Sequence, residues 1–255
     1  MIYLDKHLVL YTPLNLDFDR AKALNEGKTI INKYGAWISS KGTTLSRPTL
    51  IDDKIENDKL EKESRQKQRD ERPEDFPVKG VLLRGIAGLN YSFSYLVTDT
   101  SLYDWTSVSE KCPYLLSIIK KLPYEKIGRI NLQTVEAGMS LHKHIDSIFR
   151  MDSETKKRRK KHLEQYGISE FNMDVNCLIT IVLQGSGINF HYTRSNEIIK
   201  MSDDVYYFRP DLIHHSVDVS DQQRIICRIE GKASTEMIDM IQEHAKANSD
   251  RVLVI

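Results

Sequence analysis

The chain has 255 residues, a formal net charge of +1, 40% hydrophobic and 29% charged residues. That is enough apolar material for one large packed domain, or a domain with an extension, and too balanced a charge for wholesale binding to a polyanion. Cys112, Cys177 and Cys227 are far apart and odd in number, which argues against a disulfide scaffold or a zinc knuckle and fits a reducing, cytoplasmic setting.

The N-terminal stretch "MIYLDKHLVLYTPLNLDF" has no basic leader followed by a long apolar run, and no segment approaches the roughly 20 apolar residues of a spanning helix. No membrane partner is expected. Phe18–Ile38 has helical texture and is expected to give way at Gly27 or Gly35. Residues 51–77 are mostly charged and poor in apolar anchors, with Asp58/Lys62 and Glu63/Lys67 at helical i,i+4 spacing. Residues 1–77 therefore read as a helical and charged extension ahead of a core spanning 78–231, with 232–255 as a C-terminal helix and tail.

From Val78 the texture changes. "VKGVLLRGIAGLNYSFSYLV" is rich in β formers, and "CPYLLSIIKKLPYEKI" places Tyr114, Leu115, Ile118, Ile119 and Leu122 at helical spacing between two prolines. Short strand patterns separated by turn residues follow: "RINLQTVEA", "NCLITIVLQGSGINFHY", "NEIIKM", "DVYYFRP", "HSVDV" and "RIICRIEG". Such a series favours an antiparallel sandwich or barrel with flanking helices, mainly β in class, over a parallel sheet. "STEMIDMIQEHAKAN" reads as the C-terminal helix. A basic insertion at 152–167 interrupts the strands and holds six consecutive cations, Lys156 to Lys161, read as a solvated helix or loop or as a basic lid.

The chemistry concentrates in "MSLHKHIDSIF". In a strand, His144 and Asp146 point the same way, so an imidazole and a carboxylate can share one ion. A third ligand must come from elsewhere. "YFRPDLIHHSVDV" supplies His214 and His215, while His191 is a weaker candidate and His7, His162 and His244 lie in expected helices or loops. Two histidines and a carboxylate leave adjacent positions open on an octahedral iron. Arg224, nine residues beyond His215, offers a fork for a carboxylate.

On these residues, from about Arg129 to Gly231, the sequence resembles the Fe(II)/2-oxoglutarate-dependent dioxygenases, in particular the aspartyl/asparaginyl and proline hydroxylases. "RINLQTVEAGMSLHKHID" and "DVYYFRPDLIHHSVDVSDQQRIICRI" carry the resemblance. It implies a double-stranded β-helix (a cupin-like jelly roll), Fe(II) held by His144, Asp146 and His215, 2-oxoglutarate anchored by Arg224, and O₂ as oxidant. His142 becomes an edge residue or an outer partner of a ligand. Two departures stand out: Ser202-Asp203-Asp204 replaces a Gly-Asp turn, and Ile226 stands where many relatives carry Ser or Thr.

Asn131 and Gln133 alternate on a strand and can hydrogen-bond co-substrate or substrate, or pack as ordinary polar groups. Arg228 shares a face with Arg224 and can assist it. Tyr206 and Phe208 are expected in the core and can wall the pocket; Arg150 is a candidate contact for an anionic substrate group. The implied substrate is an amino acid, free or in a peptide. Nucleic acid or a carrier-bound substrate is the less favoured alternative, and a non-catalytic cupin-like binding module is a third.

Overall fold

The structure, a computed structural model, describes residues 3–4, 7–38, 78–86, 98–135, 140–144, 153–164, 167–185, 188–192, 198–201, 203–209, 214–218, 222–248 and 253–254. The strands in chain order are β1 (Tyr3–Leu4), β2 (His7–Pro13), β3 (Ala36–Ile38), β4 (Val78–Gly85), β5 (Asp104–Trp105), β6 (Tyr124–Val135) and β7 (Ser140–His144). There follow β8 (Cys177–Gln184), β9 (Ile188–Tyr192), β10 (Ile198–Met201), β11 (Val205–Phe208), β12 (His214–Asp218), β13 (Arg224–Ala233) and β14 (Leu253–Val254). The helices are α1 (Arg20–Tyr34), α2 (Pro113–Ile119), α3 (Ser153–Glu164) and α4 (Thr235–Ala247).

The strands form two antiparallel sheets. The large one runs β1-β2-β11-β8-β13-β6-β4-β3, with β14 beside β2 and β5 beside β4; the small one runs β10-β9-β12-β7. From β6 onward the chain visits the sheets in the order large, small, large, small, small, large, small, large. β6, β13, β8 and β11 therefore interleave in one sheet, and β7, β12, β9 and β10 in the other. This is the double-stranded β-helix, the jelly roll expected from the sequence.

Strand alternation gives the large sheet two different faces. On the outer face, Ile130, Leu132, Ile179, Ile181, Leu183, Ile225, Cys227 and Ile229 form the main core with α1, α2 and α4. α1 starts at Asp19, whose side chain accepts from Lys22 N at 3.0 Å, and buries Ala23, Gly27, Ile30, Ile31 and Tyr34. Each large apolar side chain sealed there contributes about 1.5–3 kcal/mol over its exposed state. The helix ends at Gly35 and passes through Gly27. A Cβ on Gly27 would stand 2.8 Å from Leu183 Cδ1, so its bare Cα is what lets the helix lie on β8. Ser234 accepts from Met237 N at 3.1 Å to start α4, which buries Met237, Ile241 and Ala245.

The inner face carries a second cluster: Leu10, Tyr11, Leu178, Val182, Tyr206, Phe208 and Ile226 from the large sheet, with Met201 from β10 of the small one. The two sheets thus close on each other over this cluster.

The segment read as an N-terminal extension contributes β2 to the large sheet, next to β11, and α1 to its outer core. His7, expected in a helix or loop, lies on β2. The mixed "HLVLYTP" pattern hides a strand because β2 buries residues on both faces: Val9 joins the outer core while Leu10 and Tyr11 join the inner cluster. The charged run 51–77 lies outside the described residues.

Candidate active site

β6 and β13 pair with Asn131 opposite Arg228, Gln133 opposite Ile226, and Val135 opposite Arg224. Cross-strand partners share a face, so these six positions line one inner wall while Ile130, Leu132, Ile225 and Cys227 turn outward. Asn131 and Gln133 are both buried, and Asn131 Nδ2 donates to Gln133 Oε1 at 3.0 Å. Two residues past Arg228, the Glu230 carboxylate pairs with Arg129, with both side chains sealed. Arg228 Nη2 stands 3.9 Å from Glu230 Oε1. Arg228 lies four residues along the strand from Arg224.

Arg224 is 2% exposed. Its Nη2 donates to the Tyr206 hydroxyl at 2.8 Å, and its Nε has no hydrogen-bond partner among the described residues. Among the described residues it forms no ion pair with a carboxylate. A buried guanidinium left that way costs several kcal/mol of desolvation, which an incoming anion offsets. The seat around it is built for it. Gly185, at φ +83°, passes so close that a Cβ would stand 3.1 Å from Arg224 Cα and 3.2 Å from its Cβ and Cγ. Arg20 fixes that turn by donating to the carbonyls of Leu183 (3.1 Å) and Gly185 (3.4 Å), and it pairs with Asp204 at 2.6 Å. Gln184 Nε2 donates to Gln223 O at 2.7 Å, tying β8 to the start of β13.

For β7, β9 and β12 the structure defines backbone and register. His142 and His144 lie on β7, and His214 and His215 on β12. The Cα of His144 pairs with that of His214; Leu141 pairs with Ser216, so a bulge falls between, and β7 carries an extra residue there. His215 pairs on its other side with His191 of β9. Asp146 and Arg150 lie outside the described residues.

Chain connectivity sets the levels. β6 ends at Val135 and the chain re-enters at Ser140 of β7; β12 ends at Asp218 and the chain re-enters at Arg224 of β13. Both crossings lie at one end of the jelly roll. His144 and His214 each stand four residues from that end, as do Asn131 and Arg228 on the large sheet. Arg224 stands at the end itself. The backbone level of His144 and His214 is thus separated from Arg224 by about 13 Å of strand. Among the described residues no group of three His, Cys, Asp or Glu side chains forms a metal cluster.

The sequence pattern marks Tyr206 as a core residue or pocket wall and does not single out Gly185 or Arg20 as parts of the Arg224 seat. The signal for Tyr206 was its alternation with Phe208 on "VYYF". For Gly185 it was the "GSG" turn before β9. Nothing local marks Arg20, because its partners lie more than 160 residues away.

No protein-family description matches the sequence, and no curated protein matches it. Among solved structures, the chain is similar to a prolyl-4-hydroxylase from Pseudomonas putida, at 7% identity over 91% of this chain and 95% of that one, with a TM-score of 0.39. It is also similar to a prolyl hydroxylase from Trichoplax adhaerens, solved with a peptide fragment of a hypoxia inducible factor, at 12% identity over 89% and 85%, with a TM-score of 0.42. A cupin domain from Bordetella pertussis matches 41% of this chain and 81% of its own, at 12% identity and a TM-score of 0.25. The fold assignment rests on the strand order, and the functional reading on the residues.

Proposed function

We propose that the protein is an Fe(II)- and 2-oxoglutarate-dependent dioxygenase that hydroxylates an amino acid, free or within a peptide, at an unactivated C–H bond. The observation that carries this reading is Arg224: a buried guanidinium whose Nε has no partner and which pairs with no carboxylate among the described residues, on the inner wall of a jelly roll. His144, Asp146 and His215 are the proposed metal ligands, two imidazoles and a carboxylate leaving adjacent positions open. Bound iron and 2-oxoglutarate supply the oxidation of a C–H bond by O₂, with release of succinate and CO₂. The chain's own residues bind and orient. Arg224 holds the far carboxylate of the co-substrate at the deep end. Asn131 and Gln133, level with and just below the metal motif, offer amide groups to co-substrate or substrate. Arg228, on the same inner wall four residues along β13 from Arg224, can assist it at the co-substrate or face the substrate side. The inner apolar cluster excludes water. The three free, buried cysteines support a reducing compartment as the setting.

The test is titration of the protein with Fe(II) and 2-oxoglutarate without O₂, followed by succinate release over a panel of amino acids and peptides. A charge-transfer absorption band and substrate-dependent succinate are expected. Metal binding with neither would make the protein a cupin-like binding module and overturn the enzyme reading.

A second reading of the substrate is favoured by α3. Its six cations against Glu154 and Glu164 give the helix +4 in a chain whose total is +1. Lys157, Lys160 and Lys161 are exposed, while Leu163 anchors the helix beside Ile86 and Tyr103. With no apolar face to insert into lipid, such a helix fits the phosphates of a nucleic acid. Affinity for an oligonucleotide that falls steeply with salt, and loses that slope when Lys157, Lys160 and Lys161 become Gln, supports this reading. Salt-independent or absent binding removes it. No helix among the described residues is long and apolar enough to cross a membrane.

A further inference from the structure

We propose that Arg228 and Glu230 together read the charged head of a free amino acid: Arg228 takes its carboxylate and Glu230 Oε2 its ammonium group. This rests on the dioxygenase reading above and narrows its substrate from an amino acid, free or in a peptide, to the free zwitterion.

The carboxylate of Glu230 is used on one side only. Glu230 pairs across β8 with Leu178 of the inner cluster, so it projects to the inner face, and it is fully buried. Both cations that address it do so at the same oxygen: Arg129 Nη2 donates to Oε1, and Arg228 Nη2 stands 3.9 Å from that atom. The other oxygen, Oε2, is buried and accepts no hydrogen bond among the described residues. A sealed carboxylate oxygen without a donor is costly, and a donor that arrives with a ligand offsets that cost. An ammonium group brings three donors and the opposite charge.

Arg228 supplies the other half. Its side chain is 14% exposed, against 1% for Glu230 and 0% for Arg129, so it is the member of the group that a ligand meets first. A guanidinium holds a carboxylate through paired N–H groups. The 3.9 Å between Arg228 Nη2 and Glu230 Oε1 sets unlike charges side by side. In an amino acid the amine nitrogen and the carboxylate carbon share one Cα and lie about 2.5 Å apart, a matching juxtaposition of opposite sign. A residue inside a peptide carries neither charge. The position also separates this pair from the co-substrate. Arg228 lies opposite Asn131, four residues from Arg224, and Glu230 lies two residues further away. A ligand with two carboxylates and no amine is repelled by Glu230, whereas a zwitterion meets a partner for each of its charges.

The experiment measures succinate release by the Fe(II)-loaded wild-type protein with 2-oxoglutarate and O₂. The probes are the standard free L-amino acids and, for each, its α-amide, its N-acetyl form and its N-acetyl amide. A hydrogen bond to a charged group corresponds to a 10-fold or greater change in affinity. At least one free amino acid is expected to be turned over. Blocking either its amine or its carboxylate should raise KM about 10-fold or more, and blocking both should abolish substrate-dependent succinate. Arg228→Gln should raise KM for the free amino acid by a similar factor, close the gap between the acid and its amide, and change the 2-oxoglutarate Kd less than the substrate KM. Arg228→Lys should restore part of the loss. Equal turnover of free and doubly blocked forms overturns the inference, as does turnover of peptides alone or of no free amino acid. So does an Arg228→Gln variant whose 2-oxoglutarate Kd rises as much as its KM. In each of these cases an anaerobic charge-transfer band with 2-oxoglutarate leaves the dioxygenase reading standing. If wild type shows no such band, that reading falls as well. Should Arg228→Gln fail to fold, as thermal unfolding would show, the substrate series on wild type decides alone.

Discussion

Arg129 and Glu230 form an ion pair with side-chain exposures of 0% and 1%, on the same two strands that carry Asn131 and Arg224. Arg228 approaches the same carboxylate oxygen, Oε1, at 3.9 Å. One buried anion therefore organises two arginines on the inner wall. Glu230→Gln should destabilise the fold by about 3–5 kcal/mol, because removing one partner strands buried charge. Replacing the pair together, as Arg129→Met with Glu230→Leu, should recover most of that loss. Equilibrium urea unfolding of the single and double variants measures both.

The metal motif gives a discrimination between neighbours. Register sets His214 opposite His144 at the Cα level, whereas the proposed ligand is His215, one step along beside the bulge. His215→Ala should lower Fe(II) affinity by at least about 10–100-fold, the loss that even an outer partner of a ligand produces. His214→Ala should leave Fe(II) affinity nearly unchanged. Metal content after equilibrium dialysis distinguishes them, and a reversed result moves the ligand to His214.

Gly185 should prove as sensitive as a residue that touches ligand. Alanine there meets a left-handed backbone at φ +83° and the Arg224 stem at 3.1–3.2 Å. Gly185→Ala should cost about 1–3 kcal/mol of stability. It should also weaken 2-oxoglutarate binding more than Fe(II) binding, since Arg224 is displaced while the proposed ligands His144 and His215 lie on strands of the other sheet. Parallel titrations of metal and co-substrate check this.

The thiols set an alkaline limit. Burial pushes Cys112, near the Glu26 charge, and Cys177 up to about 12, and drives Cys227 higher still. Their ordinary value is 9.0, so the folded state favours the protonated thiol. The stability this gives is fully present below pH 9 and is lost as pH rises from 9 towards 12. Unfolding free energy should be flat across pH 7–8.5 and fall above pH 9. At pH 8 none of the three thiols should react with an alkylating reagent until the protein unfolds.

Much of this protein is legible without its fold. The alternation in "NLQTVEA" and "RIICRIE" determines which residues of β6 and β13 turn inward, because side-chain period in a strand is fixed by covalent geometry. The cap at Asp19, the cap at Ser234 and the apolar spacing of α1 and α4 are likewise local. The order of His-x-Asp, distal histidine and arginine is a pattern along the chain, and it is enough to suggest the chemistry.

Other features exist only in three dimensions. β2 belongs to the large sheet because β11 offers it an edge, a pairing across nearly 200 residues that no local pattern encodes. Gly27 carries helix instead of ending it because Leu183 lies against it. Arg228 shares a face with Arg224 by strand spacing, and only the fold brings it within 3.9 Å of Glu230. Tyr206 becomes more than core because β8 and β13 bring Arg224 within hydrogen-bonding distance of its hydroxyl. Periodicity says which way a side chain points. What it meets there depends on the strand brought alongside, and that is decided by tertiary packing.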